Sequence, residues 1–341
     1  MRLAIVSPCY NEQEVLRESA ERLTDFFVSL IHKGKISPDS YILYVNDGSK
    51  DNTWKIIKDL YATNPYVRGL NLVGNVGHQN AIMAGMMTVK NACDAAITID
   101  CDLQDDVNAM EEMIDRYEEG YDVVYGVKVC RKVDPVLKRS MAVGFYKLQE
   151  KLGVKAVYNH ADFRLLSNRA LGHLSLYKEK NLYLRGIVPL MGCNSTTVDD
   201  VISDRIAGHS KYTLKKMLTL ATDGITSFSV RPLHLIFGLG ILFLFITLFI
   251  FVYVLFSFFT HHIVPGWTSL MLSVWFIGSI MLLSVGVVGE YIGKIYIEVK
   301  HRPLYHIGEY LNHEEANENY LKAENTKEHI HESHKKAELI Y

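Results

Sequence analysis

Between Arg231 and Glu290 the chain carries no Asp, Glu, Lys or Arg. No other feature restricts the fold as much, because a soluble core helix rarely stays uncharged on every face for so long. The run divides into two apolar stretches, residues 233–259 and 267–289, joined by Thr260-His261-His262-Ile263-Val264-Pro265-Gly266. Each exceeds the roughly 20 residues that a helix needs to cross a bilayer, and the first is long enough to tilt or protrude. The pattern predicts two transmembrane helices. Lys211, Lys215, Lys216 and Arg231 precede them, Lys294, Lys300 and Arg302 follow, and the connecting loop has neither Lys nor Arg. By the positive-inside rule both ends lie in the cytoplasm and the loop outside. Trp267 falls where an interface-belt residue belongs.

A chain of 341 residues leaves room for a soluble module ahead of this run. Its 36 basic and 38 acidic residues nearly balance. That excludes a protein that binds nucleic acid by neutralising phosphates along a duplex. The mean hydropathy of +0.06 is high for a soluble protein and reflects the apolar run. Five cysteines without a CxxC pair exclude a disulfide framework and a zinc ribbon, and fit a reducing cytosol. Leu3-Ala4-Ile5-Val6 meets Ser7-Pro8 at once, so no signal peptide is expected. Past Asn312 the sequence is rich in Glu, Lys and His, and His329, His331 and His334 read as part of a solvated tail.

Ahead of the apolar run, predicted strands at 3–6, 41–45, 67–73, 95–99 and 121–125 alternate with predicted helices at 12–31, 51–62, 77–91 and 107–118. This is the pattern of βαβ units, hence an α/β fold with a mostly parallel sheet covered on both faces. Residues 137–152 and 213–228 read as amphipathic helices, the second leading into the membrane.

Polar motifs fall at the carboxyl ends of these strands, where open α/β sheets bind ligands. Pro8-Cys9-Tyr10-Asn11-Glu12 and Asn46-Asp47-Gly48-Ser49-Lys50-Asp51 offer carboxylates to a base or ribose, with Tyr10 placed to pack on the base. The same residue types also make ordinary turns and caps. No GxGxxG follows the first strand, so no dinucleotide cofactor is expected. Gly74-Asn75-Val76-Gly77-His78-Gln79-Asn80 brings glycines to a helix N-terminus, which suits a phosphate or a plain strand-to-helix turn.

The sharpest motif is Asp100-Cys101-Asp102-Leu103-Gln104-Asp105-Asp106. In an extended segment Asp100 and Asp102 project the same way. Two carboxylates with no basic neighbour in sequence require a cation. Hard oxygen ligands suit Mg²⁺ or Mn²⁺, which also takes substrate phosphate oxygens. Asp105 or Asp106 serves alternatively as a helix cap. Ala161-Asp162-Phe163-Arg164 sets a carboxylate beside an apolar ring that would raise its pKa, or else pairs Asp162 with Arg164. Arg205 and Gly208-His209-Ser210-Lys211-Tyr212 supply two cations to clamp a diphosphate, or ordinary juxtamembrane charge. Arg131, Lys132, Lys138 and Arg139 guide a lipid phosphate or form a solvated basic loop.

In this order, and followed by two apolar stretches, these motifs resemble the family 2 glycosyltransferases that act on polyprenyl phosphates. These are the bactoprenol glucosyltransferases and, more distantly, the dolichol-phosphate mannose synthases. The resemblance covers roughly residues 1–300. It implies a Rossmann-like GT-A domain over 1–210, a juxtamembrane helix over 211–231, two transmembrane helices within 232–290 and a cytoplasmic polar tail over 291–341. It implies that Pro8, Tyr10, Asn11, Glu12 and Asp47 line the nucleotide pocket. Asp100 and Asp102 match the family's DxD, with Asp102 and Gln104 closest to the metal and diphosphate. Asp162 matches the proposed catalytic base, and Arg205 and Lys211 match the basic clamp. The implied cofactor is Mg²⁺ or Mn²⁺. The implied donor is a nucleotide-diphosphate sugar, uridine diphosphate glucose or a relative, and the acceptor is polyprenyl (undecaprenyl) phosphate. One inverting displacement follows, in the bacterial inner membrane, with the catalytic domain cytoplasmic; a homo-oligomer is left open. Many relatives have two Asp before the Gly-Ser; here the first is Asn46, so Asp47 is the only carboxylate there.

Two other function classes compete. A non-catalytic scaffold or lipid-translocation partner that senses nucleotide-sugar would not need Asp162. A processive polysaccharide synthase usually carries QxxRW, but Asn181-Leu182-Tyr183-Leu184-Arg185-Gly186 lacks both Gln and Trp.

Overall fold

Strand β1 (Leu3–Cys9) is buried at every residue, as are β2 (Tyr41–Asn46) and β4 (Ala95–Thr98). Near-continuous apolar runs become such strands when a parallel sheet is covered on both faces. With β3 (Val67–Leu72) they form the parallel centre of the sheet, in register at Ile5↔Ile42, Ile5↔Ile97 and Tyr44↔Gly69. The computed structural model describes residues 1–128, 160–180, 182–201 and 266–313, together with scattered helical positions between 233 and 252. The segments 137–152 and 213–228, the basic residues from Arg131 to Arg139 and most of the stretch 233–259 lie outside the described residues.

Helices α1 (Leu16–His32), α2 (Thr53–Thr63) and α4 (Ala109–Glu118) cover one face. There Leu23, Phe27, Met110 and Met113 pack with Ile5, Ile42 and Ile97. Helix α3 (His78–Val89) covers the other, setting Ile82 and Met86 on Val6, Leu43 and Val45. The expected alternation of strands and helices holds in this half, with boundaries shifted by a few residues. Pro8 is tolerated inside β1 because its backbone faces the β4 side, where β4 has already ended at Thr98.

The second half departs from simple alternation. Strand β5 (Val123–Lys128) is followed by β6 (His160–Ser167), which inserts antiparallel between β4 and β5. Then come α5 (Asn168–Leu174), α6 (Leu184–Leu190) and β7 (Ser195–Asp200), the last parallel to β5. Successive residues of β6 face opposite sides. Phe163 and Leu165 join one core, while Leu166 joins the other, on the side of Asp162 and Arg164.

Helix α7 (Trp267–Val299) has 33 residues. At 1.5 Å per residue it is about 50 Å long. Within it, Phe276–Val299 is long and apolar enough to cross a membrane, with a mean hydropathy of 1.7. It is the single such helix among the described residues, although the described positions between 233 and 252 are helical too. The helix runs past the expected limit at Gly289. Glu290, Lys294 and Glu298 recur at four-residue spacing, so they line one side without interrupting it. Glu298 accepts a hydrogen bond from the backbone N–H of Lys180 at 2.8 Å, which ties this end of α7 to the sheet domain.

After seven intervening residues, 300–306, the chain rejoins the sheet. Strand β8 (Ile307–Leu311) pairs antiparallel with the β3 edge, giving the order β7-β5-β6-β4-β1-β2-β3-β8. Glu309 receives the Trp54 indole N–H at 3.3 Å and an ion pair from Lys58 at 2.9 Å. His313 stacks on Tyr61 with ring centroids 4.1 Å apart. Residues read from sequence as the beginning of a polar tail are therefore part of the sheet.

Candidate active site

The chain leaves β1 towards β2 on one side, while β4 lies on the other. This is the topological switch point at which α/β sheets bind ligands. The turns that follow β1 and β2 are stitched together across it. Ser49 Oγ accepts from Asn11 N–H at 3.0 Å, Asn11 Oδ1 from Lys50 N–H at 2.9 Å, and Thr53 Oγ1 from Glu12 N–H at 2.9 Å. Asn11 adopts the left-handed region at φ 55° to make the bend. Its amide oxygen is thus engaged in shaping the rim. Tyr10 is 39% exposed at the rim, available to a flat ligand, and Pro8 lies buried behind it.

Asp47 is buried, and its carboxylate is filled by the chain itself. It accepts from Val76 N–H at 2.7 Å, Gly77 N–H at 3.1 Å and Asn75 Nδ2 at 3.0 Å. The glycine loop before α3 therefore holds an internal carboxylate at the helix N-terminus, where the sequence allowed a phosphate. Burial raises the Asp47 pKa, and the two backbone hydrogen bonds offset this in part. Gly48, at φ +61°, lies so close to Gly74 and Asn75 that any Cβ would strike their backbone. Asp47→Ala is expected to cost about 2–3 kcal/mol through three orphaned donors and to weaken donor binding by freeing this loop. The thermal midpoint of the purified protein and the donor KM check it, and an unchanged midpoint would refute the clamp.

The acidic motif forms a turn. Leu103 N–H bonds the Asp100 carbonyl at 3.1 Å, and buried Leu103 sits at φ 45°, a strained conformation for a γ-branched residue. The geometry differs from the extended segment expected, because β4 ends at Thr98. Asp100 does have a cationic neighbour, His78 Nε2 at 3.6 Å, contributed by the glycine loop. Burial pushes the Asp100 pKa up to about 6; His78 opposes the rise, and Asp105, Asp162 and Asp102 add to it. Asp102 Oδ1 faces Gln104 N–H at 3.4 Å. Among the described residues no three His, Cys, Asp or Glu side chains form a cage for a metal. The donor set fits a hard divalent ion held through one or two carboxylates, with the remaining ligands from diphosphate and water.

Behind this turn a second acidic pair lies buried. Asp106 N–H bonds Asp200 Oδ1 at 2.9 Å, and Lys128 Nζ lies 3.2 Å from Asp105. Burial raises the Asp105 pKa to about 6; Lys128 resists and Asp200 reinforces the rise. Asp105, which is 4% exposed, thus binds a proton in the folded state at a pH where the unfolded chain has lost it. Stability should rise as pH falls from about 6 to about 4. Below that it should fall, as Asp162, held low by Arg185, and Asp122, near the start of β5 and held low by its hydrogen bond from Arg169, are forced to protonate. Asp105→Asn is expected to flatten the upper part of this profile and leave the acid limb intact. Thermal midpoints between pH 3 and 8 test it, and an unchanged slope would refute it.

Asp162 anchors the far side. One oxygen accepts from Arg164 at 2.6 Å, while the other receives Arg185 at 3.1 Å and Gln79 Nε2 at 3.2 Å, with His78 at 3.5 Å. Thr98 Oγ1 donates to its backbone carbonyl. Burial alone would favour the neutral acid, but Arg185, His78 and Arg164 outweigh it and hold the carboxyl well below the usual range. The rise expected from Phe163 does not occur, since that ring lies on the opposite face of β6. The same partners act on His78. Desolvation opposes its charge, but the Asp162 hydrogen bond and Asp100 push its pKa up to about 9.

Asp100, Asp102, Gln104, Asp162, Tyr10, Asn11 and Glu12 thus gather around the carboxyl ends of β1 and β4 and the amino end of the adjoining, antiparallel β6. Arg205 and Lys211 lie outside the described residues. His78, Gln79, Arg164 and Arg185 join the site without having been assigned to it from sequence. His78 lies in a motif read for its glycines, and Arg185 in a segment read only for the Gln and Trp it lacks.

The family model for "Glycosyl transferase family 2" matches residues 4–175. An uncharacterized glycosyltransferase, YkoT of Bacillus subtilis (strain 168), is 47% identical over 305 residues, covering 89% of this chain and 90% of its own. A bactoprenol glucosyl transferase of Shigella phage SfV is 36% identical over 312 residues, covering 89% and 97%. Among solved structures, the mannosyltransferase PcManGT from Pyrobaculum calidifontis in complex with GDP-Man and Mn²⁺ matches with a TM-score of 0.46 at 14% identity, covering 67% and 64%.

Proposed function

The chain belongs to glycosyl transferase family 2, and from that premise we propose that it transfers one hexose from a nucleotide-diphosphate sugar to a polyprenyl phosphate at the cytoplasmic face of a membrane. The observation that carries this reading is the joining of the Asp100–Gln104 turn to the Asp162 ion-pair cluster at one switch point, in a chain that continues into an apolar helix. Relatives named bactoprenol glucosyl transferase, alike over nearly their whole length, support the acceptor.

In this reading Tyr10 packs on the base, while Pro8, Asn11, Glu12 and Asp47 shape the pocket around it. Asp102, with Asp100 and Gln104 beside it, would hold Mg²⁺ or Mn²⁺, which supplies neutralising charge to the departing diphosphate. Arg205 and Lys211 share that task. An oxygen of the acceptor phosphate dianion attacks the anomeric carbon. The bond from that carbon to the diphosphate oxygen breaks with its electron pair, inverting the centre. The products are a phosphodiester monoanion and a nucleoside diphosphate with one more negative charge, so no proton need move. Asp162, held ionised by its cations, is a weak proton acceptor; it serves to fix neighbouring groups.

The apolar stretches 233–259 and 267–289 span the membrane, with both ends cytoplasmic. The Lys180–Glu298 hydrogen bond and the return of β8 support this topology, because they hold the carboxyl end of α7 against the sheet. The absence of QxxRW favours a single transfer. The test incubates membranes containing the protein with labelled nucleotide-sugars and polyprenyl phosphate, followed by mass spectrometry of the lipid. One hexose per lipid is expected. A ladder of hexoses would contradict single transfer, and labelled soluble polymer without labelled lipid would overturn the acceptor.

A further inference from the structure

Asp162, at the floor of the site, is met by three cations, Arg164, Arg185 and His78. Arg164 is fully buried and already makes a short ion pair with it. Arg185 makes a second, through Nη2 to Oδ2 at 3.1 Å and Nε to Oδ1 at 3.4 Å, and lies closer to the surface of the cleft, with 28% of its side chain exposed. Its position is tightly determined. Leu184 N–H donates to Gln79 Oε1 at 3.0 Å, and the Leu184 carbonyl accepts from Arg164 Nη1 at 3.2 Å. The backbone immediately before Arg185 is thereby gripped from both sides, and Asp162 then sets the guanidinium.

Two features of the layout indicate which ligand this cation meets. Tyr10, Asn11 and Glu12 stand at the ends of β1 and β2, whereas Asp162 lies on β6, across β4 from them. In addition, Arg185 is five residues from Lys180, whose N–H bonds Glu298 near the end of α7. The segment that carries Arg185 therefore also carries a hydrogen bond to the helix proposed to leave the bilayer. On the reading above, this is the side from which a lipid phosphate would enter, with the nucleotide over β1 and β2.

We propose that Arg185 binds the phosphate group of the acceptor and that Asp162 is the positioning residue that aims it. The proposal rests on the reading above that the acceptor is a lipid phosphate. A guanidinium fork suits a phosphate because it offers paired donors in a plane, a geometry that lysine cannot copy.

The experiment uses the full-length protein in detergent, with Arg185→Gln, Arg185→Lys and Asp162→Asn variants. It measures kcat, the KM of polyprenyl phosphate and the KM of the donor, with nucleoside diphosphate binding as a check of folding. Arg185→Gln is expected to raise the acceptor KM roughly 10- to 100-fold and to leave the donor KM within about twofold. Arg185→Lys should fall between the two. Asp162→Asn should raise the acceptor KM in the same direction while the acid limb of the kcat–pH profile stays in place. Inorganic phosphate should compete with the lipid in the wild-type protein and lose that effect in Arg185→Gln. A rise confined to the donor KM would assign Arg185 to the diphosphate, and no change in either KM would leave it a structural partner of Asp162. Loss of the acid limb in Asp162→Asn at constant acceptor KM would make Asp162 the base. Each of these three overturns the proposal. A wild-type protein that forms no lipid-linked hexose would instead overturn the functional reading beneath it.

Discussion

Asp102→Asn is expected to lower kcat by about 100-fold or more while the thermal midpoint stays within a degree or two. The carboxylate faces Gln104 N–H of its own loop at 3.4 Å, a contact that the amide oxygen of an isosteric asparagine can keep. Its proposed task arises as charge accumulates on the leaving diphosphate, and the loss of one electrostatic contact of that kind costs about 3–4 kcal/mol in the transition state. Asparagine keeps the shape and one oxygen but not the charge. Steady-state kinetics at fixed Mn²⁺, repeated with excess chelator, decide it. Wild-type turnover in the variant under chelation would remove both the metal and Asp102 from the mechanism.

Arg164→Leu should have the largest effect on stability, roughly 3 kcal/mol or more. Both Arg164 and Asp162 are buried, and removing one member of a buried ion pair leaves a desolvated charge behind. The change also releases the Leu184 carbonyl. The pair itself need not be net stabilising, because apolar substitutes of similar size often match a buried ion pair. The double variant Arg164→Leu with Asp162→Leu should therefore recover much of the stability and none of the activity. Denaturant unfolding of the four proteins forms the cycle. A single-variant loss below about 1 kcal/mol would show that Arg185 and His78 suffice to hold Asp162.

The parallel half of the sheet was legible because its strands are short apolar runs between turn residues, and their burial leaves little choice of conformation. Strand β6 was harder to read. Asp162 and Arg164 interrupt its apolar character, and only their pairing on one face makes the pattern regular. Strand β8 carries Gly308 and Glu309 within five residues and pairs with a strand more than two hundred positions earlier, a relation that no local pattern encodes. The acidic turn was found by composition, but its conformation depends on where β4 stops. Sequence leaves Asp47 open between a ligand contact and an ordinary turn, because an aspartate in a glycine turn looks the same whether it meets a base or its own backbone. Arg185 and His78 acquire meaning through Asp162, and that contact exists only once α3, β6 and α6 are packed together.

The pairing of β3 with β8 also sets an order of events during synthesis. The ribosome makes β3 early and β8 after the whole apolar region, so the exposed ladder of β3 waits while all of that region is produced. An open strand edge is a template for wrong partners, and closing a contact of this sequence separation is slow. In the topology proposed, the sheet gains its last strand only after α7 has been delivered to the bilayer. Protein stalled before insertion would carry a nearly complete catalytic domain with one sticky side. Quality control could recognise that edge, and a catalytic domain produced without residues 304–313 would be expected to aggregate through it.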